Sequence, residues 1–216
     1  MVAAVTQILL TGFEPFDAEP INPSWEAVKA LAGYRDAVTS LMLPCTFGQS
    51  LQVLEDTVRA LEPQVILAVG QAGGRRGISL EKVAINLIDA RIPDNAGHQP
   101  IDVPVNPKGP AAYFSTLPVK RLLTELKANR LEAQLSFSAG TYVCNYLFYG
   151  ACHLAQALPW QPQVGFVHLP YLPQQAERHP GSPAMPLAQQ VAALGCLIDS
   201  LLAGGEELHL SAGTTH

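Results

Sequence analysis

The sequence carries little charge. Asp, Glu, Lys and Arg together make up 14% of its 216 residues, well below the roughly 25% usual in soluble domains. Disorder is excluded, because disordered chains pair high charge with few apolar residues and 48% of this chain is hydrophobic. So small a charged fraction predicts that another subunit covers part of the surface, as a homodimer or homotetramer. Basic runs are absent, and 13 Lys plus Arg against 18 Asp plus Glu give a net charge of −5. That balance excludes nucleic acid and anionic membranes as partners. No apolar stretch approaches the ~18 residues needed to span a bilayer. The N-terminal run has neither a positive leader nor a small-residue cleavage site, so a secretory signal is not expected and the cytosol is the expected compartment. The cysteines Cys45, Cys144, Cys152 and Cys196 form no C-x-x-C pair and have no His at zinc-ligand spacing, which points to reduced thiols. There is no His-Glu-x-x-His, no carboxylate cluster at metal spacing and no Gly-x-Ser-x-Gly elbow, so neither a metal nor a serine nucleophile is expected.

What is present is an alternation of strand-like and helix-like segments. Val5–Leu10, Ala37–Leu43, Val65–Val69, Val83–Ile88, Leu135–Phe137 and Val164–Val167 read as strands. Helices are expected from Pro23, over the stripe Leu51, Leu54, Val58 and Leu61, from Pro110 to Lys127, after Cys144, and over Ala188–Leu202. This order predicts an α/β domain with a mostly parallel sheet between helix layers, in which sites gather at the carboxyl ends of strands. The length fits a single domain over 1–216, with the end after about Gly204 frayed. Asp89–Pro110, rich in Pro, Gly, Asn and Asp, has no period; a loop that long in a compact domain is usually functional.

Cys144 is the strongest chemical candidate. Gly140 permits a sharp turn before it, and Leu147, Phe148, Ala151, Leu154, Ala155 and Leu158 mark one helical face after it. The thiol therefore stands at a helix N-terminus, where the macrodipole favours a thiolate and unpaired N–H groups can hold an oxyanion. Cys45, Cys152 and Cys196 fit buried, inert thiols better, although Cys45, after Pro44 at a strand end, could touch a pocket. The base candidate is His168, at the end of the run Val164–Val167 and on the sheet edge expected for Cys144; His98 is a weaker rival, and His209 and His216 lie in the tail. Glu81, Asp89 and Asp94 are all candidates to orient the imidazole, and spacing does not choose among them. Gly70–Gly77 follows a strand but lacks P-loop and dinucleotide spacing, so it reads as a strand-end turn near a ligand. Phe13 and Phe16, three residues apart, could form an apolar slot for a small ring.

Taken in order, the segments Leu10-Thr11-Gly12-Phe13-Glu14-Pro15-Phe16, Asn22-Pro23-Ser24-Trp25-Glu26, Val69-Gly70-Gln71-Ala72-Gly73-Gly74-Arg75, Asp89-Ala90-Arg91-Ile92-Pro93-Asp94-Asn95, Gly140-Thr141-Tyr142-Val143-Cys144-Asn145 and Leu169-Pro170-Tyr171-Leu172-Pro173-Gln174-Gln175 resemble the pyroglutamyl-peptidase I family of cysteine peptidases over nearly the whole chain. The resemblance implies a three-layer α/β/α sandwich, commonly tetrameric. It also implies a triad of Glu81, Cys144 and His168, a ring pocket of Phe13, Phe16, Ile92, Tyr142 and Val143, and Gln71 and Arg91 near the substrate. Tyr142 stands where the family has Phe or Tyr. The implied substrates are peptides with an N-terminal pyroglutamyl group, and no cofactor is implied. Two rivals are a non-hydrolytic binding protein of the same fold and a nucleoside-phosphorylase-like transferase; the latter would need a phosphate site, for which Gly70–Gly77 is poorly built.

Overall fold

The structure is a computed structural model that describes residues 7–213. In chain order its elements are β1 (Ile8–Phe13), α1 (Pro23–Ala30), β2 (Val38–Leu43), α2 (Gln49–Leu61), β3 (Val65–Gln71), β4 (Ile78–Glu81), β5 (Val83–Ile85), β6 (Ala112–Phe114), α3 (Val119–Ala128), β7 (Ala133–Ser136), α4 (Val143–Ala157), β8 (Gln163–Leu169), α5 (Pro173–Ala176) and α6 (Leu187–Ala203). Six strands make one sheet in the order β2-β1-β3-β8-β4-β7. Every neighbouring pair is parallel except β4 with β8. The central strands β1, β3 and β8 are nearly continuous apolar runs because helices cover both their faces. One face packs against α1, α3 and α6, and the other against α2 and α4, giving three layers with two apolar cores. No helix among the described residues is long and apolar enough to cross a membrane.

Several sequence expectations shift. The first strand begins at Ile8 rather than Val5 and runs on to Phe13; positions 5 and 6 lie outside the described residues, as does His216. The helix expected from Pro110 starts at Val119, and Ala112–Phe114 instead form a strand paired with Val83–Ile85. Pro118 is the reason, since the residue before a proline is pushed away from helical angles. The predicted inward face of that helix, Leu122, Leu123 and Leu126, is buried. The run Val83–Ile88 contributes only β5, in a separate two-stranded sheet under α4. Leu135 belongs to a strand that ends at Ser136, leaving Phe137 exposed. The strand β4 was not expected at all: Ile78–Glu81 is short, but all four residues are buried. The segment after Gly204 has no regular structure. It is nevertheless tied to α3, where Glu207 accepts the Lys120 and Arg121 N–H groups and Lys120 reaches the Leu210 carbonyl at 2.7 Å.

The turn that carries Phe13 and Phe16 is fixed by the cap of α1. Asn22 Oδ1 accepts from the Ser24 N–H at 3.0 Å and the Ser24 hydroxyl at 2.8 Å, and Ser24 Oγ accepts the Phe13 N–H at 2.9 Å. Asn22 also donates to the Glu14 carbonyl at 3.0 Å. All of these groups are buried or nearly so. Replacing Asn22 with Ala removes the cap and leaves buried donors unpaired, so it should lower the unfolding free energy by about 1–3 kcal/mol in urea titrations.

Candidate active site

The carboxyl ends of β3 and β8 and the first turn of α4 enclose a cavity of about 270 Å³. Its walls include Phe13, Phe16, Tyr142, Cys144, His168 and Gln71. Gly140, with φ of +79°, makes the turn into α4 that sequence reading assigned to it, and Cys144 is the second residue of that helix. There its own N–H lies among the four that a helix leaves unpaired. Gly70 fixes where the sulfur goes: a Cβ on Gly70 would sit 2.8 Å from Cys144 Sγ and 2.8 Å from the Phe166 ring. The thiol thus rests directly on bare backbone. Gly70 is in register with His168 on the adjacent parallel strand, and neighbouring strands lie only ~4.8 Å apart. The sulfur and the imidazole therefore share one cavity from neighbouring tracks of the sheet.

The acid comes from β4. Because β4 runs antiparallel to β8, Ser79 opposes His168 and Glu81 opposes Phe166. Glu81 is consequently a diagonal neighbour of His168 on the same face, within reach of long side chains. Glu81 is fully buried, and the His168 Nδ1–Glu81 Oε1 distance is 2.7 Å. Arg75 donates to the same carboxylate oxygen at 2.6 Å and to the Ser138 carbonyl at 3.0 Å, bracing the acid from the solvent side. Among the three acids weighed from sequence, only Glu81 meets an imidazole of the cavity. Asp94 is buried but spends its oxygens on the N–H groups of Phe47, Ala96 and His98. Asp89 is exposed. His98 stands largely in solvent, 3.7 Å from Asp94.

The electrostatics correct one expectation. A helix N-terminus favours a thiolate, yet burial pushes the Cys144 thiol up to about 12, with the Glu81 charge adding to the shift and Arg75 opposing it. Burial also pushes His168 below its ordinary value, with the Glu81 contact acting in the opposite sense. Both shifts favour the uncharged forms of the two groups. Desolvation is the largest cause of each shift, and both groups sit in an apolar hollow against Phe166.

The remaining sequence candidates divide between two cavities. Phe13 is buried in the wall of the first, and Phe16 stands tilted against Tyr142, centroids 6.0 Å apart. The Tyr142 hydroxyl donates to the Pro93 carbonyl at 3.0 Å, tying the wall to the long 89–110 loop. Arg91 and Ile92 line a neighbouring cavity, while Val143 is fully buried in the core beneath. Gln71 ends β3 and borders both cavities. Cys45 is buried and lines the first cavity, whereas Cys152 is buried in α4 and Cys196 lies half-buried on α6. Two residues went unnoticed as determinants of the site. Asn145 is fully buried and makes three bonds to the Ile85 and Leu87 backbone. Gln175 is buried, accepts the Leu172 N–H at 3.0 Å and donates to Gln71 Oε1 at 3.0 Å. A backbone N–H can only donate, so the Gln175 oxygen faces Leu172 and its NH₂ faces Gln71. Gln71 then has its oxygen engaged and its NH₂ without a protein partner among the described residues. No sequence signal marks this pair, since Gln175 is buried while its neighbours Pro173 and Gln174 are exposed.

Comparison with known proteins gives one consistent answer. The pyroglutamyl peptidase family model matches residues 6–203. The chain is 50% identical to the pyrrolidone-carboxylate peptidase of Erwinia tasmaniensis, over 97% of this chain and 99% of that one. It is 51% identical to that of Cupriavidus pinatubonensis, with the same coverage. Among solved structures, pyroglutamyl peptidase I from Bacillus amyloliquefaciens superimposes with a TM-score of 0.93 at 40% identity, over 96% of this chain and 100% of that one. A mutant pyrrolidone carboxyl peptidase from Pyrococcus furiosus superimposes with a TM-score of 0.85 at 38% identity, over 89% and 96% of the two chains.

The shifts of these buried groups set a pH window for stability. His168, lowered in the fold, binds fewer protons than in the unfolded chain, so its contribution is lost as pH falls below its ordinary value of ~6.5. Cys144 and Cys152, each raised to about 12, hold protons the unfolded chain gives up, so stability drops as pH rises above ~8.5. Urea midpoints should therefore peak between these limits, and Cys152→Ala should flatten the alkaline decline.

Proposed function

The chain belongs to the pyroglutamyl peptidase family, and on that premise we propose that it hydrolyses the bond after an N-terminal pyroglutamyl residue through a Cys144, His168 and Glu81 triad. The observation that carries the triad is the 2.7 Å contact between His168 Nδ1 and the fully buried Glu81 carboxylate, behind the cavity that holds Cys144. With Nδ1–H donated to Glu81, Nε2 is left as the basic nitrogen.

Pyroglutamate is a five-membered lactam without a free amine. Its ring fits the slot between Phe13, Phe16 and Tyr142, where aromatic contact contributes about 1 kcal/mol beyond area burial. Hydrogen bonds to the lactam N–H and C=O set the specificity, since a ring lacking the carbonyl would leave a buried partner unpaired at a cost of about 1–3 kcal/mol. The raised thiol and lowered imidazole imply that Cys144 ionises only as it attacks. His168 Nε2 takes the thiol proton while sulfur bonds to the carbonyl carbon outside the ring. The resulting oxyanion accepts from the Cys144 N–H and from the free NH₂ of Gln71. As the C–N bond breaks, His168 returns the proton to the departing amine, leaving a thioacyl enzyme. A water then gives its proton to His168 and its hydroxide to the thioester, releasing pyroglutamate, and the proton returns to sulfur. No step in this scheme calls for a cofactor. The reading includes self-association, for which the exposed side chains of Ile101 and Phe114, each 66% accessible, supply apolar surface.

Hydrolysis of pyroglutamyl p-nitroanilide under reducing conditions tests the assignment. Cys144→Ala should abolish it, and His168→Ala should lower kcat by about 10²–10⁴-fold with the fold retained by circular dichroism; near-normal turnover in either variant would overturn the triad. A double-mutant cycle tests the amide pair. Gln175→Met should lower kcat about tenfold with little change in KM, and should add little once Gln71 is already Ala.

A further inference from the structure

A second cavity, of about 220 Å³, adjoins the first and shares Phe16, Gln71 and Gly73 with it. The triad chemistry leaves it unused. We propose that it receives the side chain of the residue that follows pyroglutamate, and that it selects a long basic side chain over an acidic one.

The argument starts from topology and rests on the peptidase reading above. With the ring between Phe13 and Phe16 and the scissile carbonyl at Cys144, the rest of the peptide must leave past a wall of the first cavity. Phe16, Gln71 and Gly73 form the boundary that opens onto the second. This neighbouring site is built rather than incidental. Tyr171 lies against the Gly73 backbone, where any Cβ would collide with its ring, and His179 stacks on Tyr171 at 4.4 Å and 4°. His179 is held in turn by Glu19 at 2.9 Å. The Glu19 carboxylate is fully engaged, with Gln175 at 3.4 Å and Arg178 at 3.6 Å on its other oxygen.

Two charges at this cavity have no partner among the described residues, Asp17 and Arg91. Asp17 is exposed, and it and Ala18 occupy the left-handed region, with φ of 54° and 56°. Non-glycine residues adopt that conformation at a cost, and such strain gathers where a side chain must be aimed. The lining holds a second carboxylate, Glu19, so two acids face the single guanidinium of Arg91. Burial is the largest cause that pushes the Tyr171 phenol up; Glu19 and Asp17 come next and add to it, ahead of Arg91, which opposes. Burial is the main cause that pushes Tyr142 upward across the boundary, and Asp17 is the last of several charges that add to it. The mouth of the cavity is therefore negative. A Lys or Arg side chain can lay its methylenes along Phe16 and Ile92 and present its cation to Asp17, while a Glu or Asp side chain meets like charge.

The test compares kcat/KM for pyroglutamyl-Lys-amide and pyroglutamyl-Glu-amide. The wild-type ratio should be about fivefold in favour of Lys, the scale of exposed charge pairs, and should shrink in 1 M salt. Asp17→Lys should bring the ratio to one or below. Asp17→Asn, which keeps a residue tolerant of the left-handed turn, should roughly halve it. Asp56→Lys, the same change of charge on α2, should leave the ratio where it was. A wild-type ratio of one, a ratio unmoved by Asp17→Lys, or an equal response to Asp56→Lys would overturn the proposal. Hydrolysis of pyroglutamyl-Gly-amide, which has no side chain to fill the cavity, reports on the peptidase reading separately.

Discussion

The site depends on one pairing of strands. Four of the six strands in the main sheet run one way, while β4 and β7 run the other, so β4 meets β8 antiparallel. That reversal sets Glu81 diagonally beside His168 on the same face, where 2.7 Å separates carboxylate and imidazole. Arg75 braces the same carboxylate oxygen, so the acid is held from both sides within a region that water does not reach.

Around this contact, burial governs the chemistry more than charge does. Desolvation moves the thiol up and the imidazole down, which disfavours a standing ion pair. The apolar walls of the cavity create this effect. Outside the hollow the balance reverses. At the second cavity Asp17 and Arg91 are exposed and unpaired among the described residues, where solvent screens charge.

The supporting contacts join distant stretches of chain. Asn145, the residue after Cys144, binds the β5 backbone. The 89–110 loop is tied to the wall through Tyr142 and Pro93, and to the phenylalanine turn through Asn95, Glu14 and Pro15. Gln175, from beyond the last strand, sets the Gln71 amide. Asn145 and Gln175 are buried polar groups satisfied across the fold, as low-dielectric interiors require, whereas the loop contacts lie nearer the surface.

Much of this was legible in the amino-acid order. The apolar runs of β3 and β8 and the stripes of α2 and α4 announce themselves by period, and the turn at Gly140 followed by a helical face marks Cys144 as the residue at a helix start. His168 is readable as the end of a buried strand. The order of residues did not reveal β4, because four residues carry too little periodicity to register, and so Glu81 looked like a solvated acid; only its resemblance to known peptidases singled it out. Nor could it reveal that burial pushes the thiol up, since desolvation depends on what surrounds an atom and not on its neighbours in the chain. Local sequence determined the elements and the nucleophile's place on its helix. The tertiary structure decided which acid meets the histidine, which way Gln71 faces and which charges remain free, because strand direction and burial are properties of the whole packed sheet.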